Sequence, residues 1–147
     1  MKVNEKIVRK SISMLVFLAI TVITILPIYA TSSNWGFSMN WDGRYVNGAN
    51  NGVYHSLEKG GVQLSGTIEN TYSRPGALGP YKVYIELLNK TSGNSFGEIS
   101  VIPKADALKY FSGTFSSVGG GTKYYLVAYR TESDGRRIEA DGTLKNI

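Results

Sequence analysis

Residues 81–89, YKVYIELLN, set Tyr81, Val83, Ile85 and Leu87 against Lys82, Tyr84, Glu86 and Leu88. A period of two puts alternate side chains on opposite faces of a strand, here one apolar and one mixed. The turn cluster NKTSGN (89–94) follows and leads into SFGEISVI (95–102), so 81–102 reads as a hairpin. Upstream, VQLSGTIENTY (62–72) places Val62, Leu64 and Ile68 on one face and Gln63, Ser65, Thr67 and Glu69 on the other. Downstream, ALKYFSGTFSSV (107–118) and TKYYLVAYRTE (122–132) flank Gly119, Gly120 and Gly121, which predicts a second hairpin. ESDGRR (132–137) supplies an Asp134-Gly135 turn, after which Ile138, Ala140, Gly142 and Leu144 alternate with polar residues. VYHSLEKG (53–60) is the one stretch with a short helical pattern.

Six or seven strands with mostly short links predict an all-β fold. The expected form is a single antiparallel β-sandwich, Ig-like or jelly-roll-like, or a small barrel. NWGFSMNWD (34–42) adds a stripe of Trp35, Phe37, Met39 and Trp41, opposed by Gly36, Ser38 and Asn40. Gly, Ser and Asn bury almost no apolar area, whereas a large apolar side chain stabilises by about 1.5–3 kcal/mol when buried. The stripe therefore reads as a core wall rather than a ligand platform, with Trp41, further from the chain start, the better buried of its tryptophans. Two segments do not alternate. Residues 42–61 hold five glycines and three asparagines and read as a long loop, and 70–80 is a shorter one.

Residues 1–30 stand apart from the fold. Lys2, Lys6, Arg9 and Lys10 precede an uncharged apolar run that ends at Pro27 and Ala30, the pattern of an export signal cut after Ala30. An uncleaved membrane anchor is the rival reading. Either way 31–147 is expected as one domain, secreted or at the cell surface. The whole chain carries 16 basic and 11 acidic residues; without the signal's four basic and one acidic, the balance is 12 to 10. The adjacent pair Arg136-Arg137 is surrounded by Glu132, Asp134, Glu139 and Asp141, so no basic footprint for nucleic acid is present. There is no cysteine, so packing alone must hold an exported domain together.

Catalysis is poorly supplied. His55 is the single histidine, no Gly-x-Ser-x-Gly context exists, and no zinc-binding spacing appears. No catalytic residue, metal site or cofactor is therefore assigned. The leading reading is an exported, non-enzymatic domain that binds a polysaccharide or a protein outside the cell or at its envelope. The loop residues Tyr45, Asn47, Asn50, Asn51, Tyr54 and His55 are its first candidate site. A second is the solvent face carrying Tyr84, Tyr125 and Tyr129, provided strands 81–88 and 123–131 are neighbours. The alternative is a membrane-active toxin or antimicrobial protein using a 111–129 hairpin. A small hydrolase using a pair among Glu58, Glu69, Glu86 and Glu98 is third.

Overall fold

A computed structural model describes residues 32–147, so the export signal and its cut after Ala30 lie outside the described residues. Seven strands form the fold: β1 (Ser32–Met39), β2 (Tyr45–Asn47), β3 (His55–Ser73), β4 (Val83–Asn89), β5 (Ser95–Val101), β6 (Lys109–Tyr129) and β7 (Arg136–Asn146). All pairings are antiparallel, in the order β1-β7-β3-β6-β4-β5, with β2 added on β6. Among the described residues no helix is long and apolar enough to cross a membrane.

β6 overturns the expected second hairpin. It runs unbroken through Gly119–Gly121, pairing β3 with residues 109–124 and β4 with residues 124–129. A straight strand of that length would reach about 70 Å, far beyond a domain of this size. It bends instead. Two register shifts each place an extra residue on β6, where Ser117, Gly120 and Gly121 take φ of 61°, 81° and 136°. Those glycines serve bulges rather than a turn. β3 bends beside them at Gly60, φ 141°. The continuous sheet thereby folds over itself: β1, β7 and the first half of β6 flank β3, while β2, β4 and β5 gather on the second half of β6. The expected 111–129 hairpin is absent, and with it the basis of the membrane-active alternative.

The core lies between the layers. Leu64, Ile68, Ile138, Leu144, Val83, Ile85 and Leu87 are fully buried in one cluster with Trp35 and Met39. The β4–β5 hairpin matches the sequence reading. VYHSLEKG does not form a helix, because His55 already begins β3. The 42–61 stretch is likewise interrupted by β2 and ends as strand. The two tryptophans reverse their expected order. Trp35 is 5% exposed within β1, whereas Trp41 lies past the strand end, is 38% exposed and sits under the Arg74 guanidinium at 4.4 Å.

One buried ion pair ties the link after β1, the β6–β7 turn and the approach to β4 together. Arg130 and Asp134 meet with both side chains fully buried. Arg130 also donates to the carbonyls of Asn40 (2.8 Å), Gly43 (2.9 Å) and Arg136 (3.1 Å). Asp134 accepts from the backbone N–H groups of Tyr81 and Arg136, each at 2.9 Å. Gly135 takes the positive φ expected of this turn, 76°, but Asp134 points inward rather than out to water.

Candidate functional site

The outward residues of β4 are Tyr84, Glu86 and Leu88, since Val83, Ile85 and Leu87 take the inward positions. On β6 the matching outward set is Lys123, Tyr125, Val127 and Tyr129, because Tyr124 and Ala128 are buried in the core. The register puts Tyr84 beside Tyr129, and Leu88 beside Tyr125. The condition set for the second candidate site, neighbouring strands, is met. β2 then adds Tyr45 on the far side of Tyr129, giving a row Tyr45–Tyr129–Tyr84 across three strands.

These rings are fixed in place. Tyr84 and Tyr129 stack at 5.1 Å and 16°, and Tyr54 meets Tyr125 edge-on at 6.3 Å. Asn47 donates from Nδ2 to the Tyr45 hydroxyl at 3.0 Å and caps the following turn by accepting from Ala49 N–H at 2.8 Å. The Tyr129 hydroxyl donates to Glu98, and that bond is the main reason its pKa is pushed up to about 12. Between the rings lies an open hollow of about 440 Å³, with Arg44, Glu86, Leu88 and Val127 among its lining. Val127 is buried yet apart from the main core, so it forms an apolar floor under the tyrosines.

The loop and sheet-face candidates thus merge in part. Tyr45, Tyr125 and Tyr129 line the hollow. Asn47, Tyr54 and Tyr84 adjoin it through their contacts with Tyr45, Tyr125 and Tyr129 respectively, and Asn50, Asn51 and His55 have no part in its lining. Asn50 and Asn51 are exposed on a tight turn closed by Val53 N–H to Gly48 C=O (2.8 Å). Asn51 borders a separate small cavity beside Trp35 and Phe37. His55 is a correction: only 3% exposed, it is an interior residue, and its Nδ1 shares a 2.5 Å hydrogen bond with Ser33 Oγ. Sequence reasoning did not single out Arg44, Lys90 and Lys123 for this face. Lys90 Nζ donates to the Tyr54 hydroxyl at 2.9 Å, and Lys123 Nζ lies 5.0 Å from the centre of the same ring. The outward parity of Lys123, Tyr125, Val127 and Tyr129 carried a signal for one of them.

Burial lowers the His55 pKa from its ordinary 6.5. The ring is neutral when folded and gains a proton on unfolding between its native pKa and 6.5. The stability this contributes is complete above pH 6.5 and declines as the pH falls below it. Wild type should therefore lose more of its thermal midpoint than His55→Gln does between about pH 7.5 and 5.5; equal losses would contradict the assignment.

The opposite face of the sandwich has a hollow of about 660 Å³ beside Tyr110, which is 79% exposed. Four of its polar side chains pair across the strands: Ser65 with Thr143 and Thr67 with Asp141, both at 3.2 Å. Of the four candidate carboxylates, Glu86 and Glu98 stand directly opposite each other across β4 and β5. Glu98 is exposed and bonded to Tyr129. No group of three or more potential metal-ligating residues occurs among the described residues.

No protein-family model and no curated protein matches the chain. Solved structures do resemble it. The carbohydrate-binding module of Cellvibrio mixtus lichenase 5A, solved with cellotriose, superposes with a TM-score of 0.50 at 6% identity, covering 82% of this chain and 91% of that one. A xylan-binding domain from Paenibacillus barcinonensis gives 0.45 at 11% identity, over 78% and 70% of the respective chains. A family 4 carbohydrate-binding module gives 0.45 at 11% identity over 69% of this chain, and the match spans 59% of that module's length. At these identities likeness describes architecture alone. The chain is an all-β sandwich.

Proposed function

We propose that the protein is an exported, non-enzymatic binding module that holds a polysaccharide on the tyrosine face of β2, β4 and β6. The observation that carries this reading is the gathering of Tyr45, Tyr54, Tyr84, Tyr125 and Tyr129 from separate parts of the chain onto one face. Aromatic rings offer apolar area to the C–H faces of sugars, and their hydroxyls, Glu86 and Arg44 offer partners to sugar hydroxyls. A preformed open groove also suits a chain ligand that enters from the side. The β-sandwich likeness to modules described as carbohydrate-binding supports the reading at a coarse level. Glu98 already accepts from the Tyr129 hydroxyl, and Glu86 opposite it offers a further acceptor to sugar hydroxyls.

Affinity electrophoresis against a panel of soluble plant and bacterial polysaccharides tests this. Tyr125→Ala and Tyr129→Ala should each weaken binding about ten-fold or more, as truncation of a central aromatic anchor does. Tyr110→Ala, on the opposite face, should bind as wild type. Binding by neither wild type nor variants, or equal binding by all, refutes the proposal.

A further inference from the structure

The tyrosine face is electrostatically uneven along its length. Glu86 and Glu98 lie in the row of Val127. Four residues along β6, about 13 Å away, lies Lys123. Lys123 and Lys90 both converge on Tyr54, with their Nζ atoms 5.0 Å and 5.5 Å from its ring centre. Backbone pairing holds the two residues together, Lys90 N–H to Lys123 C=O at 2.9 Å. The hydrogen bond to Tyr54 is the leading cause of a raised Lys90 pKa. Among the described residues the ion pairs are Arg130–Asp134 and Arg137–Glu139, so neither lysine has a carboxylate partner. Along the strand, the separation from the Glu86–Glu98 row exceeds the screening length of about 8 Å at physiological salt. Two like charges drawn to one ring, with no counter-charge nearby, form a site for an anion.

We infer that the polysaccharide bound by the tyrosine face is acidic, and that its carboxylate groups seat between Lys90 and Lys123 at the Tyr54 end. The inference rests on the proposed glycan role of this face. Charge complementarity selects the ligand, and the aromatic row selects sugar over a bare anion. The Glu86–Glu98 end takes uncharged hydroxyls.

Paired polymers that share a backbone and differ in charge separate the possibilities: polygalacturonate with its methyl ester, and carboxymethyl with hydroxyethyl cellulose. The protein should bind the acidic member of a pair roughly ten-fold more tightly at low salt, the scale of two exposed charge contacts. Added salt should shrink that preference. Lys90→Gln/Lys123→Gln should bring both members to equal affinity. Equal binding by wild type, or a preference that survives in the double variant, overturns the inference while leaving the glycan role standing. Competition by a single-stranded oligonucleotide as strong as that by the acidic polymer also overturns it, since the face would then read charge alone. Binding to no member of either pair and to no polysaccharide of the wider panel removes the glycan role and the inference together.

Discussion

Arg130→Met should cost about 3–5 kcal/mol of folding stability, the range for removing one partner of a buried ion pair. For a domain of this size that corresponds to a fall of roughly 10–20 °C in the thermal midpoint. The size of the effect follows from what remains behind. Asp134 would keep a buried charge with only two backbone N–H donors, from Tyr81 and Arg136. The carbonyls of Asn40, Gly43 and Arg136 would each lose the same guanidinium. These carbonyls belong to the exit of β1, the link to β2 and the start of β7, so one side chain closes three segments. Arg130→Lys should recover little, because a single ammonium cannot reproduce the planar fork that serves Asp134 and the carbonyls together. The double change Arg130→Met/Asp134→Leu removes the stranded charge and should lose less than the sum of the two single changes. Chemical unfolding of wild type, Arg130→Met, Asp134→Leu and the double variant measures the cycle, and a loss below about 1 kcal/mol for Arg130→Met would show that the pair is dispensable.

The sequence shows most of the strands and little of how they meet. Alternation at Val62, Leu64 and Ile68, at Val83, Ile85 and Leu87, and at Ile138 and Leu144 predicts the buried faces, because burial on one side of a strand imposes a period of two on any sequence. It fails at Gly119–Gly121, since the same positive-φ freedom serves a hairpin turn and a bulge. Which of the two forms depends on whether the flanking segments pair with each other or with β3 and β4. His55 looks like a loop residue for a related reason. The bends at Gly60 and on β6 interrupt the alternation of β3, so its first residues look like loop. The tyrosine face needed the order of strands, which no single sequence states. Tyr45 stands 39 residues before Tyr84 and 84 before Tyr129 in the chain, and only the pairing of β2 with β6 makes them one row.

The second large effect is expected at Trp35, where the sheet itself is shaped around one side chain. Along the register, Trp35 of β1 is followed by Gly142 of β7, Gly66 of β3 and Phe111 of β6. The indole covers the glycines and meets the Phe111 ring edge-on at 5.9 Å, with Phe37 stacked on it at 6.1 Å. A Cβ on Gly66 would lie 2.2 Å from the Asp141 carbonyl oxygen and 2.7 Å from the indole; one on Gly142 would lie 2.0 Å from Ser65 O. No other residue fits either place, so the apolar cover over two strands must come from the tryptophan alone, an aromatic rescue of paired glycines. Trp35→Ala should therefore lose about 3–5 kcal/mol, the range for emptying a large aromatic site that its surroundings cannot fill. Trp35→Phe should lose much less: it keeps ring cover over the glycines, and the indole N–H it discards is buried with no hydrogen-bond partner among the protein groups. Fluorescence separates this residue from its neighbour. Wild-type emission should combine a blue-shifted component, protected from acrylamide, with a quenchable one, and Trp35→Phe should leave the quenchable emission of Trp41. If Trp35→Phe instead abolishes the quenchable component, Trp35 is the exposed residue and the glycine pair must be covered by something else.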